Sequence, residues 1–236
     1  WVDLVEEEVC ALLPQEYTPT TRFFRCDSLS GQGIEDLKAA LLGLSLEHIS
    51  RNDSGVFRLP VDRAFSLKGF GTVAAGTILG GRVEIGDRLV IMPAGLEVRV
   101  RGLQSQGADH SVLEVGQRAA LNLLGDKAGS VQRGDWICTP GAFLPTDLLN
   151  VHLRTLTEAP HVKNRDRIHV HLGTAEILGR IVLLGTDIVA PGAEAFAQIT
   201  LEKPTLAVRG DRFIIRRYSP LETLGGGVIL DPLASR

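Results

Sequence analysis

Two hydrophobic periods divide the chain. Val2, Val5, Val9 and Leu12 recur at helical spacing, and so do Ile34, Leu37, Leu41 and Leu44. Between these two predicted helices, Arg22-Phe23-Phe24-Arg25 reads as a short strand. Residues 1–50 are therefore expected to be an α/β remnant of the order helix, strand, glycine loop, helix, too short to close a sheet alone. Residues 45–55, ending Ser50-Arg51-Asn52-Asp53-Ser54-Gly55, are polar and turn-rich and read as a linker. From residue 56 the period changes to two. Val56–Val61, Thr72–Ile78, Arg88–Met92, Leu96–Leu103 and Gln117–Leu123 are strand candidates, followed by Leu149–Leu153, Arg167–Leu172, Gly179–Leu184, Ala195–Leu201 and Arg212–Arg217. The break at Pro140-Gly141 and Pro145 separates two sets. The expected architecture is mainly β: a remnant at 1–50, a β-barrel at 51–146 and a second β-barrel at 147–236.

Gly-Asp recurs at Gly86-Asp87, Gly134-Asp135 and Gly210-Asp211, each time followed by Arg or Trp and then apolar residues. Glycine tolerates the positive φ of a tight turn, and aspartate hydrogen-bonds the turning backbone, so all three read as structural turns. Cys10, Cys26 and Cys138 are too few and too dispersed for a disulfide framework and form no CxxC pair, which points to reduced, cytoplasmic thiols. No apolar run approaches the roughly 20 residues that span a bilayer, so no membrane role is expected. The first residues carry no signal-peptide pattern, and the absence of an initiator methionine suggests part of a longer chain.

Charge is unevenly spread. Residues 1–50 carry three basic and nine acidic side chains, residues 51–150 eleven and ten, and residues 151–236 eleven and nine. The barrels have a slight basic excess, which by itself does not define a nucleic-acid binder.

The candidate chemistry is sparse. Lys68-Gly69-Phe70-Gly71-Thr72-Val73-Ala74 contains Gly-x-Gly-x-x-Ala, a relaxed dinucleotide fingerprint that requires a following helix. The β-branched run after it and the break at Gly80-Gly81 argue instead for a glycine-rich bend between strands. His169-x-His171 puts two imidazoles on one strand face, half of a metal site without further ligands of suitable spacing, although His152 and His161 are near in sequence. Neither a catalytic set nor a metal or cofactor site is expected in this segment. Asp62, Arg63 and Arg118 are different: they are charges inside otherwise apolar strands. They read either as outward or ion-paired charges, or as an anion-reading pocket between neighbouring strands.

Several motifs resemble one family in order. Val61-Asp62-Arg63-Ala64-Phe65-Ser66-Leu67-Lys68-Gly69-Phe70-Gly71-Thr72-Val73 with Gly76-Thr77-Ile78-Leu79 resembles the opening of domain II in translational GTPases, most closely selenocysteine-specific elongation factors. Val98–Gln104, Gly116–Asn122, Arg133–Trp136, Gly173–Arg180, Gly210–Arg216 and the Gly225-Gly226-Gly227-Val228-Ile229-Leu230-Asp231-Pro232 run follow in the same order. Asp27-Ser28-Leu29-Ser30-Gly31-Gln32-Gly33-Ile34 is similar to the family's last guanine-contacting loop, but departs from the usual Ser-Ala at Asp27-Ser28. The resemblance implies a fragment whose barrels bind selenocysteinyl-tRNA for delivery to the ribosome at recoded UGA codons. Domain II would hold the aminoacyl end, and domain III the acceptor and T-stem side. Asp62, Arg63 and Arg118 fall on the family's selenocysteine pocket, where some members carry His in place of Arg63. GTP and Mg would belong to the parent GTPase, whose phosphate loop and switches would lie upstream of Trp1. The messenger RNA hairpin would be held only by domains beyond Arg236. The alternatives are a fragment of another translational GTPase, related to elongation factor Tu or initiation factor 2, and a ribosome-docking module that does not read the amino acid. The charged trio and the triple-glycine ending argue against the former.

Overall fold

The computed structural model describes residues 1–13, 18–47, 55–67 and 71–234. Most of the expected linker, at 48–54, and the Lys68-Gly69-Phe70 part of the glycine bend lie outside the described residues. The chain divides into two compact units, 1–52 and 53–236.

In the first unit, α1 (Val2–Leu12) and α2 (Ile34–Glu47) occupy the two segments of helical spacing. The strand expected at Arg22–Arg25 does not form: the segment lies outside helix and strand, and no other strand in this unit is described to pair with it. Arg25 instead reaches α1, where it pairs with Asp3 and Glu6. The apolar stripe of α1 is present, yet none of its residues is buried.

The second unit is built of strands. Its first part contains β1 (Arg58–Leu67), β2 (Gly71–Thr77), β3 (Arg82–Glu84), β4 (Arg88–Met92), β5 (Leu96–Ser105), β6 (Ala108–His110), β7 (Val112–Glu114), β8 (Arg118–Leu124) and β9 (Trp136–Cys138). The order β4-β9-β1-β2-β8-β5, with β4 also paired to β5, closes six strands into a barrel, and β6 extends β5 as a hairpin. The second part contains β10 (Thr146–Thr155), β11 (Val162–Lys163), β12 (Arg167–Leu172), β13 (Ala175–Leu183), β14 (Ile188–Val189), β15 (Glu194–Thr205), β16 (Arg212–Arg217) and β17 (Thr223–Asp231). Here β10-β15-β13-β12-β16-β17 form a closed barrel. Closure leaves no unpaired sheet edge, so every strand needs one apolar face only. That is the alternation seen in sequence: Ile168, Val170 and Leu172 of β12 are buried, while Arg167, His169 and His171 between them face outward.

The expected strands at Arg88–Met92, Arg167–Leu172 and Arg212–Arg217 end where predicted. Two barrel strands were not expected. β9 is only three residues long and follows a turn signal. β17 carries Gly225-Gly226-Gly227, residues of low strand propensity. Those glycines are there for lack of room: a β-carbon would lie 2.2 Å from the Arg154 carbonyl oxygen at Gly225, 2.5 Å from that of Phe213 at Gly226 and 1.9 Å from that of His152 at Gly227.

The Gly-Asp pairs form one repeated turn. Asp87 accepts the Glu84 amide at 2.8 Å, Asp135 the Gln132 amide at 2.9 Å and Asp211 the Val208 amide at 3.0 Å. The preceding glycines have φ of 101°, 95° and 91°. Asp166 makes the same bond to the Lys163 amide at 2.8 Å, with Arg165 at φ 68° in the glycine place.

The three cysteines are free thiols. Cys138 is fully buried in β9, and burial pushes its thiol up to about 12. Burial raises an acid by disfavouring its charged form, so at pH 8 only about 10⁻⁴ of this thiol is the reactive thiolate. Iodoacetamide is expected to label the exposed Cys26 and to spare Cys138 until denaturant is added, as read by peptide mass spectrometry. Equal native labelling of both would contradict this packing.

The barrels are joined by an apolar cluster, Met92, Trp136 and Cys138 with Leu206, and by a shielded ion pair. Arg58 of β1 makes a two-point ion pair with Asp211 at 2.8 and 2.9 Å, the two side chains being 14% and 10% exposed. The guanidinium also lies 5.7 Å from the ring centroid of Trp136. The hairpin turn between β12 and β13 meets the first barrel directly: an added β-carbon at Gly173 would lie 2.8 Å from the Trp136 ring and 3.3 Å from Pro60. Removing one partner of so buried a pair leaves an uncompensated charge, so the clamp resists separation of the barrels.

Candidate functional site

Asp62 and Arg63 lie on β1, and Arg118 opens β8. β1 pairs with β2 through Val61–Gly76 and Arg63–Ala75, leaving Asp62 as the extra residue of a β-bulge. The bulge resets the alternation. Leu59 and Val61 point into the core, and an unbroken strand would send Arg63 there too. Instead Asp62 and Arg63 both turn outward, and Ala64 packs on the core. Gly76 permits the close crossing, since a β-carbon there would lie 2.1 Å from the Pro60 carbonyl oxygen.

β8 lies on the other side of β2, with Arg118 opposite Thr77. Strands two apart are about 10 Å from each other, a gap that a long guanidinium side chain closes. The Ser105 hydroxyl donates to the Arg118 carbonyl at 2.7 Å and anchors the start of β8. Arg118 Nη2 donates to Asp62 Oδ1 at 2.9 Å, and Nη1 donates to Oδ2. Asp62's hydrogen bond pushes the Arg118 guanidinium above its ordinary value. The Arg118 side chain is 55% exposed. A surface pair of this kind contributes only about 0.2–1 kcal/mol to stability.

Arg63 has no ion-pair partner among the described residues, and it is exposed. Across the sheet Arg63 faces Ala75, and Ala75 faces Ala120, so its cross-strand neighbours are small. The trio therefore presents two guanidiniums and one carboxylate over a floor of small residues. It can accept an anionic group that leaves Asp62–Arg118 in place or exchanges one of its bonds. The structure brings Asp62 and Arg118 together; it places Arg63 next to Asp62 without joining it to either.

A second charged site is on the other barrel. Arg167 on β12 lies opposite Arg180 on β13. Two cations side by side on one sheet face repel each other. Glu202 offsets this by accepting from Arg167 at 2.7 and 2.9 Å, and that bond holds the Glu202 carboxyl below the usual carboxylate range. Arg167 also sits 4.5 Å over the Tyr218 ring centroid. Beside it is a cleft of about 340 Å³ lined by His161, Lys163, Arg167, Arg217 and Tyr218 among others. Sequence reasoning missed this cluster, although Lys163-Asn164-Arg165-Asp166-Arg167 carries the signal of a local cation run.

The other candidates resolve differently. The Gly-x-Gly-x-x-Ala segment leads into β2 and not into a helix. His169 Nδ1 lies 2.7 Å from Glu176, and desolvation lowers the basicity of His171. His152 is paired elsewhere, with Glu194 at 3.2 Å. Among the described residues no three His, Cys, Asp or Glu side chains gather as metal ligands.

Residues 149–236 match the family model described as the selenocysteine-specific elongation factor β-barrel domain, and residues 71–138 match elongation factor Tu domain 2. The selenocysteine-specific elongation factor of Desulfomicrobium baculatum is 36% identical over 237 residues, covering 100% of this chain and 37% of that protein. The chain belongs to the selenocysteine-specific elongation factor family. The Escherichia coli K12 member is 32% identical over 235 residues, covering 98% of this chain and 36% of its own length. The crystal structure of a bacterial selenocysteine-specific elongation factor superimposes with a TM-score of 0.83 at 30% identity, covering 100% of this chain and 38% of that one. The chain thus spans a little over a third of the length of each of these three relatives. Arg118 lies within the matched elongation factor Tu domain 2 segment, and the cation cluster at Lys163–Arg180 within the selenocysteine-specific one. No helix among the described residues is long and apolar enough to cross a membrane.

Proposed function

We propose that this chain is the tRNA-holding part of a selenocysteine-specific elongation factor that delivers selenocysteinyl-tRNA to the ribosome at recoded UGA codons. The barrel at 51–146 takes the aminoacyl end, the barrel at 147–236 takes RNA phosphates, and residues 1–50 end a GTP-binding domain. The parent uses GTP and Mg, works in the cytoplasm, and holds the messenger RNA hairpin through domains beyond this segment. The chain itself binds and does not catalyse.

The observation that carries this reading is the outward bulge that sets Asp62 against Arg118 and leaves Arg63 without an ion-pair partner among the described residues. A selenol is more acidic than a thiol, so selenocysteine is anionic near neutral pH while serine is neutral. A charge-assisted hydrogen bond contributes about 1.5–3 kcal/mol, or roughly ten- to hundredfold in affinity. Asp62 keeps the Arg118 guanidinium extended over the sheet, and Arg63 supplies a second positive charge beside it. The cations at Lys163, Arg167, Arg180 and Arg217 support phosphate contacts by the second barrel.

The phosphate part of the reading is tested by equilibrium binding of the full-length gene product to aminoacylated tRNA across salt concentrations. Three to four phosphate contacts predict a slope of log K against log salt of about −3. Substituting Arg167 and Arg217 with alanine is expected to flatten that slope by about 2. A slope unchanged by the double substitution would remove the second barrel from the RNA site.

A further inference from the structure

The second barrel touches the strand that carries Asp62. The Thr174 hydroxyl, in the turn between β12 and β13, donates to the Val61 carbonyl oxygen at 2.7 Å, across 113 residues of sequence. The same oxygen accepts the Gly134 amide at 3.0 Å, and the Val61 amide donates to the Asp135 carbonyl at 2.8 Å. Val61 is the residue before the bulge, so its carbonyl belongs to the same peptide plane as the Asp62 nitrogen. A peptide group is planar, so fixing its carbonyl by two donors fixes where the Asp62 nitrogen and α-carbon lie, the base from which its side chain projects. Gly173 seats the turn against Trp136 and Pro60, and Gly134 packs closely against Ala175, its hypothetical β-carbon 3.3 Å away. The turn is thus held on both sides of Thr174.

We propose that Thr174 is a positioning residue for the Asp62–Arg118 pair. The proposal rests on the aminoacyl-reading role of that pair. Among the described residues Thr174 makes no hydrogen bond to either charged side chain; it sets the bulge from which Asp62 projects. A bulge left free to turn carries the carboxylate out of its two-point geometry with Arg118, and the guanidinium is then free to leave the face where an anion is read. The second barrel thereby takes part in amino-acid discrimination while contacting none of the amino acid.

The test compares Thr174→Val, which keeps the shape and removes the donor, with Thr174→Ser, which keeps the donor. In the full-length gene product, Thr174→Val is expected to lower the ratio of selenocysteinyl- to seryl-tRNA affinity by about 3- to 10-fold. It should leave seryl-tRNA affinity within about twofold, and Thr174→Ser should retain the wild-type ratio. An unchanged ratio in Thr174→Val would overturn the proposal. A wild-type protein with no preference would instead sink the aminoacyl-reading role. A second readout is independent of that outcome: the Arg118 side-chain nitrogen resonances of the free protein. They are expected to shift and exchange faster with water in Thr174→Val, but not in Thr174→Ser. Resonances identical to wild type in Thr174→Val would contradict positioning whatever the tRNA result.

Discussion

Gly227→Ala is expected to destabilise the protein by about 4 kcal/mol or more and to strip the second barrel of its slowly exchanging amides. Overpacking a core ordinarily costs about 1–3 kcal/mol, because side chains can move aside. At Gly227 the obstacle is the His152 carbonyl oxygen, 1.9 Å from the β-carbon position, and it belongs to the backbone of β10. β10 and β17 are hydrogen-bonded neighbours in the closed ring, so neither can retreat without opening it. Gly185→Ala is the control. Gly185 has φ 80° and open space around its β-carbon position, so its cost is only conformational, about 1–2 kcal/mol. Urea unfolding followed by circular dichroism separates the two. If both variants lost the same stability, close approach would not be the reason for the triple glycine.

Arg118→Ala is expected to lower affinity for selenocysteinyl-tRNA by about 10- to 100-fold and for seryl-tRNA by less than threefold. The magnitude is that of one charge-assisted hydrogen bond to an anion. Folding should barely respond, since Arg118 is more than half exposed and such a surface pair contributes at most about 1 kcal/mol. Arg118→Lys keeps the charge but lacks the planar fork that grips Asp62 at two points, so it should recover only part of the loss. Equal losses on the two tRNAs would assign Arg118 to general RNA binding.

The barrel strands were legible because closure gives each strand one buried face, and alternation reports that face directly. β4, β12 and β16 are the clearest cases. Alternation failed at Arg63, where counting by two from Leu59 and Val61 points a guanidinium into the core. The bulge at Asp62 is what turns it outward, and a bulge has no compositional mark beyond the charge it relocates. β17 was illegible for the opposite reason: its glycines answer to backbones of other strands, two of them to β10, more than 70 residues earlier. The strand expected at Arg22–Arg25 shows the reverse error, since local propensity supplies no partner. The Gly-Asp turns were visible because the whole device, glycine φ and aspartate acceptor, lies within four residues. The Arg58–Asp211 clamp was not, as its members are 153 residues apart. Of the candidate site, the residue types were visible in the sequence and their arrangement was not. Which of the two arginines Asp62 would hold was decided by register across β2.

The central claim is that the first barrel reads the selenol charge. Its most direct test is equilibrium binding of the full-length gene product to selenocysteinyl- and seryl-tRNA on one tRNA body, near neutral pH and again after acidification. The account predicts a preference of about tenfold or more for the selenocysteinyl form near neutrality. The preference should shrink as acid protonates the selenolate, because the guanidiniums stay charged throughout. Equal affinities near neutral pH, or a preference that acid leaves unchanged, would contradict charge reading by Asp62, Arg63 and Arg118.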